Sequence, residues 1–140
     1  ITSANSEDAM KSQSGKVRIT NLSPQGGTYF TPVWIGIHSG LFDIYARDEP
    51  APDFVEGLAE DGDNGPIINK FSMSTSGGVW DGVVGSAPIA PGMTVELPFD
   101  VELDASHLDT LYVSYASMVL PSNDACKYCL CATTDSSNHL

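Results

Sequence analysis

The run from Thr110 to Leu120 alternates in a way that leaves neither side of an extended chain polar. Leu111, Val113, Tyr115, Ser117 and Val119 share one face, and Tyr112, Ser114, Ala116, Met118 and Leu120 share the other. A strand that is apolar on both faces has to be covered on both, so it belongs in the middle of a sheet with material packed above and below it. It runs directly into Pro121-Ser122-Asn123-Asp124, a turn that leaves a carboxylate at its tip.

The remaining β-rich runs build a sheet around that strand. Val17, Ile19 and Leu22 precede a Pro24-Gln25-Gly26-Gly27 turn, and Pro32 to His38 is β-rich but interrupted by Gly36, where a strand bends or a backbone approaches closely. Val79 to Val84 and Thr94 to Leu103 follow, the second after an Ala90-Pro91-Gly92-Met93 turn. Between the two halves, Pro52 to Glu60 has helical spacing, a proline suited to a first turn and early acids, which predicts a short helix ending near Gly62. A further helical turn or two is expected over Pro66 to Phe71, with Ser72 to Gly78 as a loop. The pattern predicts an all-β chain, an antiparallel β-sandwich with one or two short helices.

At 140 residues and 41% apolar, the chain can bury one core. The polar start, residues 1–15, reads as a flexible segment, residues 16–125 as the domain, and residues 126–140 as a cysteine-bearing tail. With 18 acidic residues against 6 basic ones, a net charge of −12 argues against nucleic acid and anionic membranes as partners. No run is long enough to insert in a bilayer.

Gly27-Thr28-Tyr29-Phe30-Thr31-Pro32-Val33-Trp34, Gly57-Leu58-Ala59-Glu60-Asp61-Gly62 and Tyr115 to Asp124, taken in that order and spacing, resemble the spondin amino-terminal domain family, in particular its single-domain microbial members. The resemblance extends from about Val17 to Asp124. It implies an antiparallel sandwich of about eight strands with C2-like topology, and a calcium ion bound near one end of the sandwich. The ligands it implies are Asp124 at the turn and an acid on the preceding strand, Asp100 first and Glu102 second. Asp100 and Glu102 fall on one face of a strand, so both can contribute, and Asn123 adds an oxygen. Ala125 stands where animal members carry an aromatic. The shell is then either completed by another chain or Asp124 is a turn aspartate that caps backbone donors.

Other clusters carry less. Glu60 to Gly65 lacks the EF-hand form, because Pro66 stands at the sixth position from Asp61 and Ser72 at the twelfth, so it reads as a polar helix exit. Cys126, Cys129 and Cys131 with His139 lack the two separated ligand pairs usual for tetrahedral zinc. A disulfide is the simpler expectation, Cys126 to Cys131 or to Cys129, with the remaining thiol free or joined to another subunit. Gly-x-Ser-x-Gly is absent, and nothing singles out a catalytic set among His38, His107 and His139. His38 reads as a satisfied structural histidine. Of the aromatics that could hold a sugar, Tyr29, Phe30, Trp34 and Trp80, most are expected in the core. Asn21-Leu22-Ser23 is a formal glycosylation acceptor disfavoured by Pro24.

These readings lead to a non-enzymatic adhesion or assembly module, secreted or in an organelle lumen or periplasm, that binds a protein partner or serves as a subunit of a larger complex. The alternative is a calcium-dependent module for carbohydrate or lipid headgroups.

Overall fold

Alternating apolar residues at Val95, Leu97, Phe99, Val101 and Leu103 give one strand a single oily face, and that strand organises half of the molecule. A computed structural model of the chain describes residues 10–73, 77–104, 110–122, 126–128 and 132–133. Its elements are β1 (Met10–Thr20), β2 (Tyr29–Phe30), β3 (Val33–His38), α1 (Asp53–Asp61), α2 (Gly65–Met73), β4 (Gly78–Val84), β5 (Thr94–Asp104), β6 (Tyr112–Leu120), β7 (Cys126–Tyr128) and β8 (Ala132–Thr133). The class is the expected one, antiparallel β with two short helices.

Two sheets face each other. In the larger, six-stranded sheet β6 pairs with β3 along Tyr112 to Ala116, with β2 at Val119 and Leu120, and with β7 and β8, while β4 lies beyond β3. The smaller sheet is the ribbon of β1 and β5, in unbroken antiparallel register from Met10 opposite Asp104 to Thr20 opposite Thr94. Val17, Ile19, Val95 and Leu97 on the ribbon pack against buried Val33, Ile35, Val84 and Ile89. Farther along, Val101 and Leu103 pack against Leu111. The side chain of Leu97 reaches over Gly82, which sets β5 above β4.

The opposite face of the larger sheet is closed by the helices. Trp34 and Ala116 meet Phe42, Ile44, Val55, Leu58, Ile67 and Phe71 in a second core, so the helices cover one face of β6 and the ribbon part of the other. α1 starts after Pro52, whose extended φ of −65° and ψ of 149° place it just outside the helix, and Asp53 and Glu56 sit in its first turn, where the helix dipole favours acids. It ends at Gly62, whose φ of 68° belongs to the left-handed region, with the Gly62 N–H donating to Leu58 O and the Asp63 N–H to Gly57 O. Burial of Val55 and Leu58 on its inner stripe contributes about 1.5–3 kcal/mol for each side chain.

Three differences from the sequence reading have physical causes. Residues 10–15, read as part of a flexible start, form the first half of β1: Met10 to Ser14 are exposed on both sides, so no alternation marks them, and their order comes from pairing with Phe99 to Asp104. Gly15 takes part because the Phe99 ring lies across it, where a Cβ would stand 2.5 Å from the ring. Gly36 does not mark a bend: β3 keeps its register with β4 and β6 through it, and the irregularity falls between Ile37 and His38. Ser72 and Met73, expected in a loop, belong to the last turn of α2.

Candidate functional site

The ribbon is two strands wide and the sheet it covers is wider. With β5 set over β4, the ribbon runs out at β1, and the inner face of β6 continues past it. The result is a cleft of about 790 Å³ with the edge of β1 as one wall. Val17 and Ile19 of β1, Phe30 of β2, Val33 and Ile35 of β3 and Val113 of β6 make its surface largely apolar, while Ser23, Tyr115 and Ser117 add hydroxyls. At its mouth Leu22 is 87% exposed and Tyr115 is 39% exposed. Large apolar side chains are thus gathered at a groove on an otherwise acidic molecule.

One end of the cleft is held rigidly. Asn21 is fully buried, its amide donates to Thr28 O and to Ile89 O, both at 2.9 Å, and its Oδ1 accepts the Ser23 N–H. Every polar group of that side chain is engaged, which fixes the exit of β1 to the start of β2 and to the loop before β5. Next to it, Thr31 locks onto β6: its N–H donates to Met118 O, its Oγ1 accepts the Met118 N–H, and the Ser117 hydroxyl donates to Thr31 O.

On the outer face of the ribbon, Lys16 Nζ and Arg18 Nε reach the same carboxylate, Glu96, at 2.9 and 2.6 Å. Hydrogen bonds from Lys16 and then Arg18 hold the Glu96 carboxyl below the ordinary carboxylate range. Lys11, Lys16 and Arg18 on β1 are half of the 6 basic residues in the whole chain.

Of the residues singled out for calcium, only Asp100 and Glu102 are among the described ones. Asp100 and Glu102 stand on the exposed outer face of β5, opposite Ser14 and Ser12. Their neighbours Phe99, Val101 and Leu103 pack with Leu111, ahead of β6, whereas Ser122 follows the other end of β6 and Asn123 and Asp124 lie outside the described residues. These two carboxylates alone do not supply the six to eight oxygens calcium takes, so a site here needs further ligands. Among the described residues no three histidine, cysteine or acidic side chains converge. Cys129, Cys131, His107 and His139 also lie outside, and Cys126 is described only as part of β7.

His38 is where a structural histidine was expected. It is 1% exposed, its Nδ1 accepts the Gly40 N–H at 3.1 Å, and its Nε2 therefore carries the hydrogen directed at Ser114 Oγ, 2.9 Å away. Burial pushes its pKa below 6.5, and nearby Asp43 offsets part of that shift. Glu60 to Gly65 is the polar helix exit expected of it, with Asp63 Oδ1 accepting the Gly65 N–H and Asn64 Nδ2 donating to Pro32 O. Of the aromatic pool, Trp34 is buried, Phe30 and Trp80 are partly buried against the ribbon, and Tyr29 is exposed. The cleft itself was missed from sequence. Its signal was present in the strand pattern, since a two-stranded ribbon cannot cover a wider sheet, but strand partners are not readable from alternation.

No family model, no curated protein and no solved structure matches the chain.

Proposed function

We propose that this protein is a non-enzymatic binding module whose working surface is the cleft beside β1, and that the ligand seated there is a protein partner. The observation that carries the reading is the apolar cleft where the ribbon stops short of β6, with Leu22 and Tyr115 exposed at its mouth. Such a surface costs solubility unless it is used. Among the described residues the one histidine, His38, has both ring nitrogens engaged in the core. A net charge of −12 keeps polyanions away and suits a partner drawn in by apolar contact and short-range charge pairing. We place the protein outside the cytosol, as an adhesion or assembly component, on its acidity and its cysteines.

A photocrosslinking side chain at Leu22 tests this, with the same group at Leu41, which is also widely exposed, at 73%, but lies outside the cleft. In extract and culture fluid of the source cells, a discrete adduct is expected from position 22 and none from position 41. No adduct at position 22, or the same adducts from both positions, overturns the reading.

A further inference from the structure

The wall of the cleft formed by β1 is an unusual wall, because it is a strand edge. Among the described residues β1 pairs with β5 alone, so its second edge presents backbone N–H and C=O groups without strand partners. The phase of these groups follows from the turn. The Asn21 N–H donates to Met93 O and Asn21 O accepts the Gly92 N–H, so Asn21 faces the β5 side. Bonding alternates along an antiparallel strand, which turns the backbone groups of Ile19, Val17 and Gly15 toward β5 and those of Thr20, Arg18, Lys16 and Ser14 toward the open edge, where Arg18 and Thr20 line the cleft. Pro98 agrees with this phase: it lies opposite Lys16, at a position where its missing N–H costs the ladder nothing.

Pro98 blunts the outer edge of β5, whereas β1 contains no proline anywhere from Met10 to Thr20. The charges on β1 do not close its edge either, since Lys16 and Arg18 are drawn onto Glu96 on the outer face of the ribbon. Two cations share that one carboxylate, which leaves positive charge over for a second acid on the other side of β1. The cations also disfavour pairing of β1 with a second copy of itself. What β1 accepts is visible in the strand it already holds: β5 turns Val95, Leu97, Phe99, Val101 and Leu103 inward and Glu96, Asp100 and Glu102 outward.

We propose that the open edge of β1 takes up an extended polypeptide segment as a further strand, one whose apolar alternate residues drop into the cleft and whose acidic alternate residues meet Lys16 and Arg18. This rests on the reading of the cleft as a partner site and adds the mode and the chemistry of recognition: main-chain bonds give affinity, and side-chain alternation with charge gives selectivity.

The probe is a synthetic peptide with the sequence of Thr94–Asp104, titrated against the whole chain. Three results are expected. The peptide slows hydrogen exchange at the amides of Ser14, Lys16, Arg18 and Thr20. Lys16→Gln with Arg18→Gln, or raising salt from about 50 to about 300 mM, weakens it by about tenfold. N-methylation of one alternate set of peptide amides abolishes binding, and of the other set spares it. The glutamine substitutions leave the apolar side of the ribbon untouched, and the methylated peptides leave the protein unaltered, so loss of fold cannot mimic these results. No binding, protection elsewhere, or equal effects of the two methylated sets overturns the proposal. If the peptide fails while the Leu22 adduct persists, strand addition is wrong and the cleft remains a partner site. If both fail, the functional reading falls with it.

Discussion

The indole N–H of Trp34 donates to Asp81 Oδ2 at 3.1 Å across the β3–β4 pair, and the Trp34 ring lies over Gly36, the residue opposite Asp81. A fully buried tryptophan thus has its single donor satisfied by a carboxylate at the rim of the core, while its hydrocarbon part packs against Phe42 and Phe71.

Replacing Gly36 by alanine places a methyl 2.6 Å from the Trp34 ring and 3.0 Å from Phe71, and both rings are fixed by the helices. Gly36→Ala is expected to destabilise the fold by about 1–3 kcal/mol through overpacking. Asp81→Ala strands the indole N–H and is expected to cost about 1–3 kcal/mol, whereas Asp81→Asn keeps an acceptor and costs less. Urea unfolding of the three variants tests this, and equal effects of Asp81→Ala and Asp81→Asn would argue that the bond contributes nothing.

His38 predicts a pH dependence with a definite sign. Its folded pKa lies below the ordinary 6.5 because burial disfavours the charged ring, so between the two values the unfolded chain binds more protons than the folded one. Stability from this group is complete above about pH 6.5 and declines as pH falls through the folded value. Protonation also destroys the acceptor for the Gly40 N–H. Neither Asp43, which offsets part of the shift, nor Tyr112, stacked on the ring, reverses that sign. Thermal unfolding between about pH 7 and pH 5 is expected to show a falling midpoint that flattens in His38→Asn. A slope unchanged in the variant would assign the effect to other groups.

Asn21 shows how a local motif and a fold can disagree. Asn21-Leu22-Ser23 has the form of a glycan acceptor, yet the Asn21 side chain is fully buried and both amide hydrogens are engaged. In a glycosylating host the intact mass is expected to carry no glycan at Asn21. Asn21→Ala is expected to cost about 2 kcal/mol or more, because Thr28 O and Ile89 O each lose a donor. A glycosylated and normally stable product would contradict the burial.

These residues also mark how far the sequence could be read. Strands over Val79–Val84 and Thr94–Leu103, the α1 helix with its stop at Gly62 and the place of β6 inside its sheet were legible, because each rests on alternation or capping within one segment. Met10 to Ser14 was not, since its order is imposed by β5 from far along the chain. The cleft was not legible for the same reason: Val17, Ile35 and Val113 read only as strand residues and Phe30 as one of a pool of aromatics mostly expected in the core, and only the sheet order decides that a single ribbon leaves part of that face open.

The placement of Asp100 and Glu102 makes the calcium question separable by residue. Both carboxylates stand on the outer face of the ribbon, level with Phe99 and Val101 at the Leu111 end of β6, while Ser122 follows its Leu120 end. A pair of carboxylates with Ser12 and Ser14 opposite offers too few oxygens for a calcium site, and solvent screens what attraction remains. The double variant Asp100→Asn, Glu102→Gln is therefore expected to unfold in chelator and in millimolar calcium with the same difference in midpoint as the unaltered chain. A ligand at a hundred times its dissociation constant stabilises by about 2.7 kcal/mol, so a real site is easily seen. A calcium-dependent rise abolished by these two substitutions would put the ion on the ribbon, next to the strand edge proposed for the partner, and would require that edge to be tested again with calcium present.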